Sequence, residues 1–353
     1  KGRVGPLRVT FVTDFFTGSE ELLAASEHCI EEGQTIHQDR MGSSNQPNKK
    51  KATCTDRDVI GQQPTMVTAA SQRLNWAADY FAKTFKIKQT TEGVTLNQDA
   101  QDNFPFLDNP SGPKDDLGVP LCGTSITDCP ASHYNDTDLV IVVTMYPLPN
   151  DSVYLQAYAS CVQYDLFDRC VGYVNWVPSH LNPAIDLVNP RVIRTERALI
   201  LHEALHVLGG IKDTKMFRFK NGTVMPASYK MVAQQQSDSI NKHVLMWKTP
   251  GVVAIARQQF NCSSIVGMPL EDDPVGWNKH WEARLTGPEV MSYGLDTGEE
   301  YVSDLTLQFF ADSNQYLVDF IEGTKRLYPA TTVDLEEEED SEEDSEDEED
   351  SLL

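Results

Sequence analysis

The chain has 353 residues, 40% of them hydrophobic, with 5 Trp, 12 Tyr and 14 Phe, which supplies enough apolar surface for one large core or two smaller lobes. No run of about 18 apolar residues occurs, so a membrane-spanning helix is not expected. The formal charge of −24 is concentrated in Asp334–Asp350, which holds 14 of the 53 acids and no base, leaving 39 acids against 29 bases elsewhere. With no basic face beyond Lys49-Lys50-Lys51, which reads as a solvated loop, binding to nucleic acid through its phosphates is excluded from the expectations.

Taken in chain order, Leu7–Val12 alternates and predicts a strand. Residues 65–87 repeat apolar side chains at Val67, Ala70, Leu74, Ala77, Phe81 and Phe85, the spacing of a long helix packed over a sheet. Residues 89–120 are rich in Gly, Pro, Asn and Asp and read as loops. The continuous apolar run Leu139–Met145 predicts a buried strand and residues 171–177 a second. Between them, SVYLQAYASC at 152–161 alternates and reads as an edge strand able to accept a peptide as an added strand.

A helix follows. Asn189-Pro190 supplies a cap and a proline at the first helical position, Gly209-Gly210 ends the run, and no Gly or Pro interrupts it. Ala198, Leu201, Leu205 and Leu208 form its apolar stripe. Within it stands HEALH: His202 and His206 lie one turn apart on one face, with Glu203 beside them, the arrangement of H-E-x-x-H. Two imidazoles on a helix turn are two-thirds of a hydrolytic zinc site, which takes three protein ligands and leaves a position for water.

The third ligand is open on spacing alone. Lys212 stands where a histidine three residues after Gly209 would complete the short metzincin motif, and an ammonium is no ordinary zinc ligand. Asp213 is one register away, and His243 and His280 lie further on; a gluzincin-like site would use Glu271 or Glu282. His280 has one distinguishing feature: it precedes Met291 by 11 residues in HWEARLTGPEVMSYG, where Pro288 and Gly294 flank a candidate methionine turn.

Residues 212–274 show weaker periodicity, with a helix expected over 248–260 after Pro250, and residues 303–321 read as a closing helix. The tail from Asp334 cannot bury a core and is expected to be disordered; its acidic dileucine pattern at Glu348–Leu353 is taken as coincidental. Seven cysteines and four Asn-x-Ser/Thr sites (Asn135, Asn150, Asn221, Asn261) point to the secretory pathway and a location outside the cell or at its surface. The start at Lys1-Gly2 reads as a processed or excised segment, with any signal or pro-region upstream.

HEALHVLGG, whose His206 is separated by 73 residues from His280 of HWEARLTGPEVMSYG, resembles the leishmanolysin family of surface metallopeptidases, in which an inserted segment displaces the third zinc histidine. SEHCIEEGQ (26–34), ATCTDRDVI (52–60), VPLCG (119–123), DTDLVIVVTMYP (136–147) and YASCVQ (158–163) extend the likeness over most of the chain. The resemblance implies an α+β zincin of the metzincin type: an N-terminal catalytic lobe over 1–210, an inserted segment over 211–274, a C-terminal lobe over 275–333 with the third histidine and the methionine turn, and the tail 334–353. It further implies a zinc endopeptidase acting on protein substrates, with His202, His206 and His280 on one Zn2+ and Glu203 as general base.

The same likeness implies the pairs Cys29–Cys54 and Cys122–Cys161, which leaves Cys129 and Cys170 to pair and Cys262 left over. The acidic tail stands where the family has a cysteine-rich region, so membrane attachment is not expected of this segment. Tyr293, absent from many relatives, is read as a possible donor to the oxyanion or as a packed turn residue. The rival reading is a catalytically idle, zinc-containing adhesion or binding module at the cell surface; Glu203 argues against it, because a structural zinc has no use for that base.

Overall fold

The computed structural model describes residues 3–13, 28–38, 50–89, 94, 136–147, 157–164, 170–178, 189–210, 217–237, 242–271, 279–293 and 297–325. Strand β1 (Val4–Pro6) leads into β2 (Val9–Val12), and the hairpin-like pair β3 (Thr35–Gln38) and β4 (Lys50–Thr53) follows. The latter corrects the expectation of a loop at Lys49-Lys50-Lys51, since Lys50 and Lys51 pair with Gln38 and His37. Backbone pairing with a distant segment overrides the polar composition. Cys29 and Cys54 close a disulfide beside this pair, as the resemblance implied.

Helix α1 (Pro64–Thr84) buries Met66, Ala70, Leu74, Ala77 and Phe81 along its stripe. It ends three residues earlier than the apolar spacing suggested. Phe85-Lys86-Ile87-Lys88 alternates buried and exposed residues and forms β5 (Phe85–Lys88), antiparallel to β1.

The sheet that carries the site contains β2, β6 (Leu139–Thr144), β7 (Ala157–Tyr164) and β8 (Cys170–Trp176), in the order β2-β6-β8-β7. The first three run parallel and β7 antiparallel to β8 at the edge. Every residue of β6 is buried, which explains its unbroken apolar sequence. Asn175 on β8 accepts from Thr144 and from the Tyr146 backbone and donates to the Tyr146 carbonyl, satisfying a fully buried amide.

Helix α2 (Pro190–Leu208) packs on β7 and β8 and against α1. A buried ion pair between Arg73 of α1 and Glu196 of α2, at 2.9 Å, and Arg197 stacked 4.7 Å above the Trp76 ring hold the two helices together.

The segment with little periodicity contains a hairpin, β9 (Met231–Ser237) and β10 (Lys242–Trp247), extended by β11 (Met268–Pro269), with α3 (Pro250–Gln259) between β10 and β11. The expected closing helix over 303–321 is a correction as well. It breaks into α4 (Asp304–Asp312), β12 (Leu317–Val318) and α5 (Phe320–Lys325), because Asn314 takes a left-handed conformation (φ 58°) and donates to the Arg218 carbonyl. Strand β12 then joins the free side of β5. One continuous hydrophobic core runs from Leu7 through α1, the sheet and α2 to Phe309 and Phe310 of α4. Among the described residues no helix is long and apolar enough to cross a membrane. Of the loops expected over 89–120 only residues 89 and 94 are among those described, and the tail from 334 and the Cys122–Cys161 and Cys129–Cys170 pairs lie outside the described residues and side chains.

Candidate metal centre

Helix α2 is rigid at both ends for reasons visible in its sequence. The Asn189 side chain accepts from the amides of Arg191 and Val192 at 3.0 and 3.4 Å, and Pro190 occupies the first turn, where its missing amide hydrogen costs nothing. At the other end Gly209 adopts φ 139°, open to glycine, and Gly210 returns its amide to the Leu205 carbonyl. A Cβ on Gly210 would stand 3.0 Å from His206 Nδ1, so the glycine also makes room for that imidazole.

His280 arrives from a different part of the chain. Its carbonyl accepts from the Glu271 amide, and the next residue is tied down three ways: the Trp281 amide donates to the Met291 carbonyl, its ring is buried against Phe309, and its indole N–H donates to Thr306. Met291 is fully buried in a turn that the Ser292 amide closes on the Glu289 carbonyl.

The three imidazoles meet. The Nε2 atoms of His202, His206 and His280 lie 3.1 Å from one another in all three pairs. His202 Nδ1 donates to the Val290 carbonyl at 2.6 Å, which fixes its tautomer and leaves the Nε2 lone pair facing the other two rings. Burial lowers the pKa of His202 to about 4; burial, followed by His202 and His280 and then Lys279, holds His206 well below the ordinary imidazole value, and burial, followed by His202 and Lys279, lowers His280, so all three stay neutral. Neutral, buried nitrogens crowded at this distance cannot all be satisfied by hydrogen bonds to each other. A cation resolves the conflict, and nitrogens bound tetrahedrally at zinc distances stand about 3.3 Å apart. These three are the ligand-type group that the described residues bring together.

Glu203 is 5% exposed, and burial pushes its carboxyl up to about 8, opposed by the charge of Lys279. Burial raises the Tyr173 phenol on β8, and the charge of Glu203 adds to that shift. Tyr293 sits with its ring centroid 4.1 Å from that of His280 and is 45% exposed at the rim.

The other candidates are elsewhere. Glu271 accepts from the Ala283 amide, Glu282 is held bidentate by Arg284, and His243 lies in β10 opposite Gln235. Lys212 and Asp213 fall outside the described residues. Sequence reasoning missed Val290, because a backbone carbonyl carries no residue signature.

The sequence profile described as Leishmanolysin matches residues 5–328. The chain belongs to the leishmanolysin family. It is 29% identical over 195 residues to the leishmanolysin-like peptidase of Drosophila melanogaster, a match covering 46% of this chain and 28% of that protein. The ciliated left-right organizer metallopeptidase of Homo sapiens is 28% identical over 171 residues, covering 46% and 20%. Leishmanolysin of Leishmania donovani is 23% identical over 323 residues, covering 90% of this chain and 45% of its own length. The chain thus spans less than half the length of these relatives. Membership in a family of metallopeptidases agrees with the three converging histidines and the mixed helix-and-sheet architecture.

Proposed function

We propose that the chain is the catalytic portion of a zinc-dependent endopeptidase. The observation that carries this reading is the convergence of three neutral imidazole nitrogens at 3.1 Å, from HEALH and His280, with a buried carboxylate on the same helix. A Zn2+ ion on His202, His206 and His280 would leave a fourth position for water, lower that water's pKa and polarise a scissile carbonyl.

Glu203 takes the proton of the attacking water and passes it to the leaving amine nitrogen. The ionised carboxylate this requires is favoured by adjacent positive charge, from Lys279 and from the cation site. The substrate lies extended along β7, whose outer edge has no strand partner among the described residues, and its backbone amides and carbonyls pair there as an added strand. The Tyr293 hydroxyl, on a ring beside His280 at the exposed rim, donates to the oxyanion as the carbonyl becomes tetrahedral. Met291, buried under the turn that supports His202, has the role of the metzincin methionine. A non-catalytic zinc module would gain nothing from burying Glu203 next to His202.

The setting we infer is extracellular or at the cell surface. The Cys29–Cys54 disulfide and the exposed sequon residues Asn221 and Asn261 support it. The test of the function is a purified Glu203→Ala chain assayed on a quenched peptide library beside the wild type, with a hydroxamate control. Retained zinc with lost cleavage is expected; undiminished cleavage would refute the role of Glu203.

A further inference from the structure

The fully buried carboxylate of Glu289 has no part in the peptidase mechanism above, yet its bonds lead to two of the three histidines. Its oxygens divide their work. Oε2 accepts from the Met291 amide at 2.6 Å. Oε1 accepts from the Ser303 amide at 3.2 Å, the Ser303 hydroxyl at 2.9 Å and the Thr306 hydroxyl at 2.6 Å. Ser303 is the N-cap of α4, its hydroxyl accepting from the Thr306 amide, so the carboxylate fastens the turn 289–292 to the start of a packed helix.

Three paths run from this carboxylate towards the metal centre. The Val290 carbonyl, held between Glu289 and Met291, accepts the Nδ1 proton of His202 at 2.6 Å. The Met291 carbonyl accepts the Trp281 amide at 2.9 Å, one residue from His280. The Thr306 hydroxyl, while donating to Glu289, accepts from the Trp281 indole at 2.9 Å. One carboxylate therefore sets the acceptor that orients His202 and, twice over, the residue that anchors His280.

We propose that Glu289 is the positioning residue of the metal centre, acting through Val290 on His202 and through Met291 and Thr306 on Trp281 and hence His280. The inference rests on the zinc reading of the three histidines. It requires glutamate in particular. Each carboxylate oxygen faces one backbone amide, of Met291 or of Ser303, and neither amide can reverse its hydrogen. A glutamine has the same shape but only one accepting oxygen, so its amide nitrogen must confront one of those fixed donors.

The test compares wild type, Glu289→Gln and Thr306→Val, with Val252→Ala as a destabilised control in the buried core of α3, far along the chain from the turn. Zinc affinity is measured by chelator competition well below each unfolding temperature, and cobalt is substituted to read the visible ligand-field spectrum. Glu289→Gln should bind zinc about 10- to 100-fold more weakly and shift the cobalt bands, the range seen when the partner of a metal-bound histidine is removed. Thr306→Val should weaken binding less and in the same direction, and decides the matter if Glu289→Gln does not fold. Val252→Ala should match the wild type in both readouts. Wild-type affinity and spectrum in Glu289→Gln, or in Thr306→Val as the only folded variant, would overturn the proposal while leaving the zinc reading intact, as would equal weakening in Val252→Ala. A wild-type chain that binds no zinc would overturn both.

Discussion

His202 Nδ1 donates to the carbonyl oxygen of Val290 at 2.6 Å, so the orientation of a helix imidazole is fixed by a turn 88 residues further along the chain. The bond commits the ring to the tautomer with its proton on Nδ1. Nitrogen NMR of the zinc-loaded chain should therefore show a slowly exchanging proton on Nδ1 of His202 and none on its Nε2. Because the acceptor is backbone, Val290→Ala should keep that signal, whereas a proton found on Nε2 would contradict the arrangement.

Gly210 faces His206. An added Cβ would come within 3.0 Å of the ring Nδ1 and 3.2 Å of its Cα, closer than ordinary contact. Gly210→Val, with two further methyls, should displace the imidazole and lower zinc affinity by about tenfold or more, a shift of about 1.4 kcal/mol. Chelator competition measures it, and unchanged affinity would show that the neighbouring backbone gives way instead.

Asn189 caps two amides at the start of α2. Asn189→Ala should cost about 1 kcal/mol in denaturant unfolding. The catalytic end of the helix lies more than three turns away and remains pinned by Arg73–Glu196, so peptidase activity at 25 °C should stay within about twofold of wild type.

Cys29 and Cys54 are separated by 25 positions and enclose both β3 and β4. The double variant Cys29→Ala/Cys54→Ala should lose about 3 kcal/mol by the loop-entropy argument. Cys262, an exposed thiol hydrogen-bonded to Ser264, should react with a maleimide in the native protein, and Cys262→Ser should abolish that rapid labelling.

What the sequence disclosed and what it hid have different physical origins. Helix α2 was legible because its cap, proline, apolar stripe and terminal glycines all act within one segment, and the same periodicity put His202 and His206 on one face. His280 was legible through its distance from Met291 and through family likeness. The β3–β4 pair and the β9–β10 hairpin were not, since their stability lies in partners whose positions no local pattern records. The break at Ser313 and Asn314 was missed for a related reason: apolar spacing continues across it, and only the bond from Asn314 to the distant Arg218 carbonyl reveals why the chain turns. Glu289 and Val290 show the limit most clearly. Their contribution is made by a backbone oxygen and by a carboxylate bonded to backbone and hydroxyls, neither of which leaves a motif.

The most direct test is X-ray absorption at the zinc edge on the zinc-loaded chain and on His280→Ala. Three imidazoles and one oxygen, with nitrogen at about 2.0–2.1 Å, are expected in the wild type, falling to two imidazoles in the variant. A wild-type shell with a carboxylate from Glu271 or Glu282 in place of the third imidazole, or three imidazoles retained in His280→Ala, would contradict a site built from His202, His206 and His280.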